Sequence, residues 1–331
     1  LTEAAPLKKN SAIGGYMELE LQYRGVYHKD LLALNTGRNA LKYLLEACRP
    51  SRIFIPRYVC EAVLQPIKEL GIKHEFYSIT EELDPVGLGS VDNAELVLYV
   101  NYFGLKGATA RALGARLSNL VIDNTQAFFA EPEKGIPAFY SARKFFGVPD
   151  GAYLHSHRQL DVALEKDYSY GRFAHLLKRV ELGAEAGFDD YRNNESLINS
   201  LDLKLMSDST QKILASIDYE RVKKTRVENY KALHKYLGSM NEAKFAELDN
   251  ENVPLAYPFM YTGQDVRNAL LSKKIYCPVF WPNVIESMKN QPDSIEYRLA
   301  KNTIPLPVDQ RYGAEEMQFI AKTVLEAIGH G

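Results

Sequence analysis

Apolar and polar positions along this chain change period repeatedly, and each change predicts an element. The first thirty residues read as an irregular arm that ends in a short amphipathic stretch. Residues 40–47 have helical spacing, with Leu41, Leu44 and Leu45 on one face. Strand-like and helix-like segments then alternate: a strand over 52–55, a helix over about 61–70 and a strand over 74–77. Residues 95–100 are almost unbroken apolar, as in a strand buried on both faces. A helix near 108–117 leads to a strand over 119–123, and short strands follow around 138–140 and 151–154. This repetition predicts an α/β fold, a largely parallel sheet covered by helices.

Beyond it the pattern weakens. Residues 160–200 are charged and helical in composition, without a clear period. One long amphipathic helix is predicted over 207–237, with Ile213, Ile217, Val222, Tyr230, Leu233 and Leu237 as its apolar positions. The tail predicts a strand at 256–260 and helices near 265–273 and 315–328. These are the signs of a smaller α+β domain, and they divide the chain into 1–205 and 206–331.

Composition narrows the function. With 331 residues, 46% hydrophobic and 25% charged, the chain has the balance of a globular protein. A formal net charge of -2, with both signs mixed throughout, argues against a nucleic-acid partner. No apolar run reaches the ~18 residues that would cross a bilayer. The start, Leu1-Thr2-Glu3, has no signal-peptide core, and Cys48, Cys60 and Cys277 form neither a disulfide nor a metal pattern. The expectation is a cytoplasmic protein with reduced thiols, no metal site and no membrane contact.

Three features carry candidate chemistry. The turn Thr36-Gly37-Arg38 opens a helix, where free N–H groups and the helix dipole suit a phosphate and where a plain cap would look the same. Asp123 closes an apolar strand and is followed by Asn124-Thr125-Gln126. An acid there needs a cationic or donor partner, such as a protonated pyridine nitrogen, unless it caps a helix. Lys144 follows another strand within Ser141-Ala142-Arg143-Lys144 and precedes Phe145-Phe146-Gly147. Burial beside these aromatics and Arg143 would keep part of its amine neutral and nucleophilic, whereas a lone lysine is ordinarily solvated.

Together these residues resemble the fold-type I pyridoxal 5′-phosphate (PLP) enzymes, in particular the DegT/DnrJ/EryC1/StrS family of sugar aminotransferases. Asp123-Asn124-Thr125-Gln126 is similar to the family's Asp-Ala-Ala-Gln. Ser141 to Lys144, followed by Asp150-Gly151-Ala152, is similar to its lysine segment, with the serine three rather than five positions ahead. Asn35 to Leu41 is similar to its phosphate turn, and Leu306-Pro307 to its late Leu-Pro segment. Gln211 through Tyr230, with Arg226, resembles the long helix opening its small domain.

The resemblance implies an aspartate aminotransferase-like fold: a large domain with a mostly parallel seven-stranded sheet, plus a small α+β domain. It implies Lys144 as the Schiff-base lysine, Asp123 against the pyridine nitrogen and Gln126 beside the ring hydroxyl. Thr36, Gly37, Arg38, Ser141 and Arg143 would hold the phosphate, and Tyr58 is the candidate to stack on the ring. The stretch that relatives lend to a partner subunit has no clear match; Tyr191-Arg192 and Lys204 are the candidates. The implied activity moves an amino group from an amino acid, Glu by resemblance, to a keto sugar linked to a nucleotide, as in polysaccharide biosynthesis. The implied assembly is a homodimer with shared sites. A lyase-type PLP reaction, or a descendant that binds PLP or a sugar nucleotide without turnover, are the alternatives.

Overall fold

The computed structural model describes residues 13–329. Leu1-Thr2-Glu3 and the first part of the expected arm lie outside the described residues. The strands are β1 (Leu32–Leu34), β2 (Arg52–Pro56), β3 (Lys73–Ile79), β4 (Pro85–Val86), β5 (Glu95–Val100), β6 (Leu120–Asn124), β7 (Ala138–Ser141) and β8 (Ala152–His155). The helices among them are α1 (Gly37–Cys48), α2 (Glu61–Glu69) and α3 (Gly107–Gly114).

These strands form one sheet in the order β1-β8-β7-β6-β5-β2-β3-β4. The five strands from β7 to β3 are mutually parallel, β8 runs against them, and β1 pairs antiparallel with β8. The carboxyl ends of β1, β5, β6 and β7 therefore lie along one edge, where ligands of open α/β sheets bind. Seven strands were expected and eight are present, because Pro85 and Val86 add a two-residue edge partner to β3. The unbroken apolar run of β5 is explained by its place: Val97, Leu98, Tyr99 and Val100 are all within 1% of full burial.

β1 falls between the expected arm and the Thr36 turn, where no element was expected. Its three residues are too few to show an alternation, and pairing with β8 makes it a strand. The segment before it is anchored by His28, whose Nε2 hydrogen-bonds the Phe128 carbonyl at 2.8 Å.

The stretch after β8 resolves into α4 (Ala174–Leu182), α5 (Phe188–Ile198), α6 (Asp208–Ala215) and α7 (Tyr219–Leu237). The single helix expected over 207–237 is thus two. Ser216 Oγ donates to the Ile213 carbonyl at 2.7 Å where α6 ends. Asp218 Oδ1 accepts from the Arg221 N–H at 3.1 Å and caps α7. An Asp cap and a back-bonding Ser break a pattern whose apolar positions alone run straight through.

The remaining elements are β9 (Ala256–Met260), α8 (Val266–Ser272), α9 (Pro282–Ser287), α10 (Ile295–Asn302), β10 (Thr303–Pro307) and α11 (Ala314–Ala327). β9 and β10 form an antiparallel pair. The tail pattern had not separated α9, α10 and β10. No described helix is long and apolar enough to cross a membrane.

Candidate active site

Asp123 is the penultimate residue of β6, beside β7 and in register with Phe139, and is only 4% exposed. Its carbonyl accepts from the Asn101 N–H at 3.0 Å, and its Oδ1 accepts from the Thr125 N–H at 2.8 Å. Burial raises its pKa above the usual carboxylate value, while the charge of Lys144 and the bonds from Thr125 pull it down. A carboxylate so placed has acceptor capacity left for a cationic donor.

Lys144 closes the tight turn that follows β7. The turn is set from both ends. The Ala142 N–H donates to the Gly151 carbonyl at 3.0 Å. The Phe145 carbonyl accepts from Gln310 Nε2 at 2.8 Å and from Arg226 Nη2 at 3.3 Å. Phe145 and Phe146 are 3% and 6% exposed and anchor the turn in the core. The lysine itself is exposed, not buried beside these rings as the sequence suggested. Its Nζ donates to Thr125 Oγ1 at 3.0 Å.

The opening of α1 comes to the same place. Thr36 caps the helix, its Oγ1 accepting from the Asn39 N–H at 3.1 Å. A Cβ on Gly37 would stand 3.5 Å from the Thr125 methyl, so the helix N-terminus abuts the loop after Asp123. The Arg38 and Arg143 guanidiniums lie within each other's field. Arg143 is lowered to about 10, first by burial and then by the charges of Arg38 and Arg172, against the pull of Tyr191 and Asp150. Arg143 pairs with Glu195 on α5. The Nε atoms of Arg38 and Arg143 are buried and have no partner among the described residues. Two cations with unmet donors, beside a helix N-terminus, have the chemistry of an anion site.

Behind this edge lies a buried polar network. Asp150 is fully buried and accepts from Arg172 Nη2 at 2.9 Å, from Ser207 Oγ at 3.2 Å and from Thr210 Oγ1. Burial raises its pKa. The Gly151 N–H donates to the Asn35 carbonyl at 2.6 Å, which ties the lysine segment to the residue before Thr36. Gly151 has φ +113°, and a Cβ there would sit 3.0 Å from the Thr210 methyl, so the position favours glycine on both counts.

The structure brings Thr36, Gly37, Asp123, Arg143 and Lys144 together, with Arg38 beside Arg143. Ser141 ends β7 at 8% exposure, and its hydroxyl has no partner among the described residues. Gln126 serves the backbone instead of a ring: its Oε1 accepts from the Phe103 N–H at 2.6 Å and holds Phe103 at φ 57°. Its amide nitrogen stays unbonded among the described residues.

Tyr58 does not fit the stacking role. It is fully buried, stacked on Tyr102 at 5.6 Å and met edge-on by Trp281 at 4.3 Å, with no room for a further ring. An aromatic residue in the right stretch of sequence says nothing about which way its ring points. Of the partner-stretch candidates, Lys204 pairs with Glu165 at 3.0 Å, and Tyr191 lies on α5 near Arg143. Sequence reasoning missed Glu195, which no motif marked, and the Thr125 hydroxyl, which lay inside the quoted Asp123–Gln126 run.

The residues fit PLP as a resident group: a buried acid for the ring nitrogen, an accessible amine, and orphaned arginine donors at a helix N-terminus for the phosphate.

No protein-family model matches the chain, and no curated protein matches it. Solved structures do. A DegT DnrJ EryC1 StrS aminotransferase from Brucella abortus superposes with a TM-score of 0.58 at 13% identity, over 91% of this chain and 86% of its own. DesV from S. venezuelae, solved with a ketimine intermediate, gives 0.60 at 14%, over 89% and 84%. NtdA from Bacillus subtilis, solved with PMP, gives 0.62 at 12%, over 92% and 74%. The chain shares the aspartate aminotransferase-like fold of these proteins, as its sequence motifs implied.

Proposed function

We propose that this protein is a PLP-dependent aminotransferase that moves an amino group from an amino acid, Glu by resemblance, to a keto sugar carried on a nucleotide. The observation that carries the reading is the meeting of Asp123 and Lys144 through Thr125, at the ends of adjacent parallel strands and against the start of α1. The fold shared with sugar aminotransferases supports it.

When bound, the cofactor supplies an aldehyde for an amine and a ring that takes up electrons from a carbanion. Lys144 holds it covalently through Nζ and, once free, moves the proton at the donor's Cα. Asp123 keeps a proton on the ring nitrogen, a role suited to a buried acid that lacks a full set of donors. The N–H groups opening α1, with Arg38, Arg143 and the Ser141 hydroxyl, bind the phosphate. Arg226 and Gln310 keep the lysine turn in place through the Phe145 carbonyl.

The assembly is a homodimer. Exposed Leu177, Val180, Leu182 and Phe188 on α4 and α5 and exposed Tyr16, Met17 and Leu19 in the arm are apolar surface that a second copy would cover. Domains of 1–205 and 206–331 accord with the two separate sheets, although α6 is tied to the first through Asp150 and Thr210. A cytoplasmic location accords with three free cysteines.

The test is spectroscopic. Protein loaded with PLP is expected to show a visible band that borohydride removes, leaving the label on Lys144. Glu should bleach that band and a keto acid restore it. A reducible cofactor retained by Lys144→Ala would end this reading. A band insensitive to every amino donor would leave binding without transfer.

A further inference from the structure

Thr125 makes three contacts at once. Its Oγ1 accepts from Lys144 Nζ at 3.0 Å, and its N–H donates to Asp123 Oδ1 at 2.8 Å. Its methyl lies 3.5 Å from where a side chain on Gly37 would begin. The hydroxyl also acts on the Asp123 carboxylate, opposing the effect of burial on that acid. A hydroxyl has one hydrogen and two lone pairs. One of those lone pairs takes the bond from the amine. Lys144 is exposed, and its four-carbon stem would otherwise sample many rotamers.

We propose that Thr125 is the positioning residue for Lys144. Its hydroxyl holds the amine over the carboxyl ends of β6 and β7, and its methyl sets the spacing to the first turn of α1. The inference rests on Lys144 being the cofactor lysine and adds to that reading the group that aims it. A threonine serving only its local turn would need the N–H bond to Asp123 and nothing from its hydroxyl.

Thr125→Val and Thr125→Ala remove the hydroxyl, and Thr125→Ser keeps it. In cofactor-free protein, acylation of Lys144 by acetic anhydride at neutral pH is followed by peptide mass, with Lys224, whose side chain is 75% exposed, as the internal reference. Loss of the acceptor that tethers the charged amine is expected to raise the relative acylation of Lys144 by about three- to tenfold. Serine should restore it to within about twofold of the parent. Unchanged or reduced acylation in both hydroxyl-free variants overturns the proposal, as does an increase that the serine variant shares. Borohydride trapping of the loaded parent protein separates the two readings. A label away from Lys144 defeats the assignment of the cofactor lysine, whereas a label on Lys144 with no hydroxyl effect defeats only the role of Thr125.

Discussion

Arg143 lies in the lysine turn and Arg226 bonds its end at Phe145, and burial is the first cause that lowers each guanidinium to about 10. Their partners differ in kind. Arg226 Nε donates to Gln310 Oε1 at 3.0 Å, Nη1 to the carbonyls of Pro254 and Leu255 at 3.2 and 3.1 Å, and Nη2 to Phe145. Its guanidinium also lies 4.5 Å from the centre of the Phe145 ring. Every nitrogen of Arg226 is met by a neutral acceptor, so the residue works as a clamp. Arg143 has one carboxylate, two other arginines in its field and an unmet Nε. Saturation marks a group that holds structure; an unmet donor among like charges marks one that waits for an anion.

The sharpest way to break this contrast is to remove the clamp. Arg226→Met leaves the Pro254 and Leu255 carbonyls and the Gln310 amide oxygen without that donor and the Phe145 carbonyl with Gln310 alone, and should cost about 3–5 kcal/mol in urea unfolding. A midpoint like that of the parent protein would show that the bonds are dispensable.

His28 is a second buried group held by a backbone carbonyl. Burial lowers its pKa from 6.5 to about 4, against the bond to the Phe128 carbonyl. The unfolded chain therefore binds the extra proton within that window. Stability should be complete above pH 6.5 and fall by about 3 kcal/mol as the pH drops to 4. Denaturation across this range checks it, and His28→Gln should flatten this part of the slope.

Arg143→Met should behave in the opposite sense to Arg226→Met. The partly exposed Glu195 it leaves behind is solvated, so stability should change by no more than about 1 kcal/mol. PLP affinity, measured by fluorescence titration, should weaken about 10- to 100-fold. The smallest effect is expected from Glu195→Gln, which removes the carboxylate that competes with an anion for Arg143. The rise in Tm produced by inorganic phosphate should then correspond to a binding about two- to fivefold tighter.

Which parts of this could be read from the chain follows from the same physics. β5 was legible because a strand buried on both faces must be apolar throughout. β1 was not, since Leu32–Leu34 become a strand only by pairing with β8. The outward-facing Leu177, Val180 and Phe188 blurred the period of α4 and α5, and the Asp218 cap split a helix that apolar spacing continued. In the site, Asp123 and Lys144 were marked by their positions after strands, and the Thr36 turn by its place before a helix. Tyr58 was misassigned, because ring orientation depends on Tyr102 and Trp281, distant in the chain.

The amino-acid sequence by itself determined the alternation of elements, the sheet class and the residue types at strand ends, because periodicity and strand-end position are local properties. Only the tertiary structure decided which donors are met and which are not. Thr125 between Asp123 and Lys144, Glu195 against Arg143, and Arg226 on the Phe145 carbonyl all depend on where distant segments come to rest. The bonding state of a buried group is a property of its surroundings, and that is where saturated Arg226 and unsatisfied Arg143 part company.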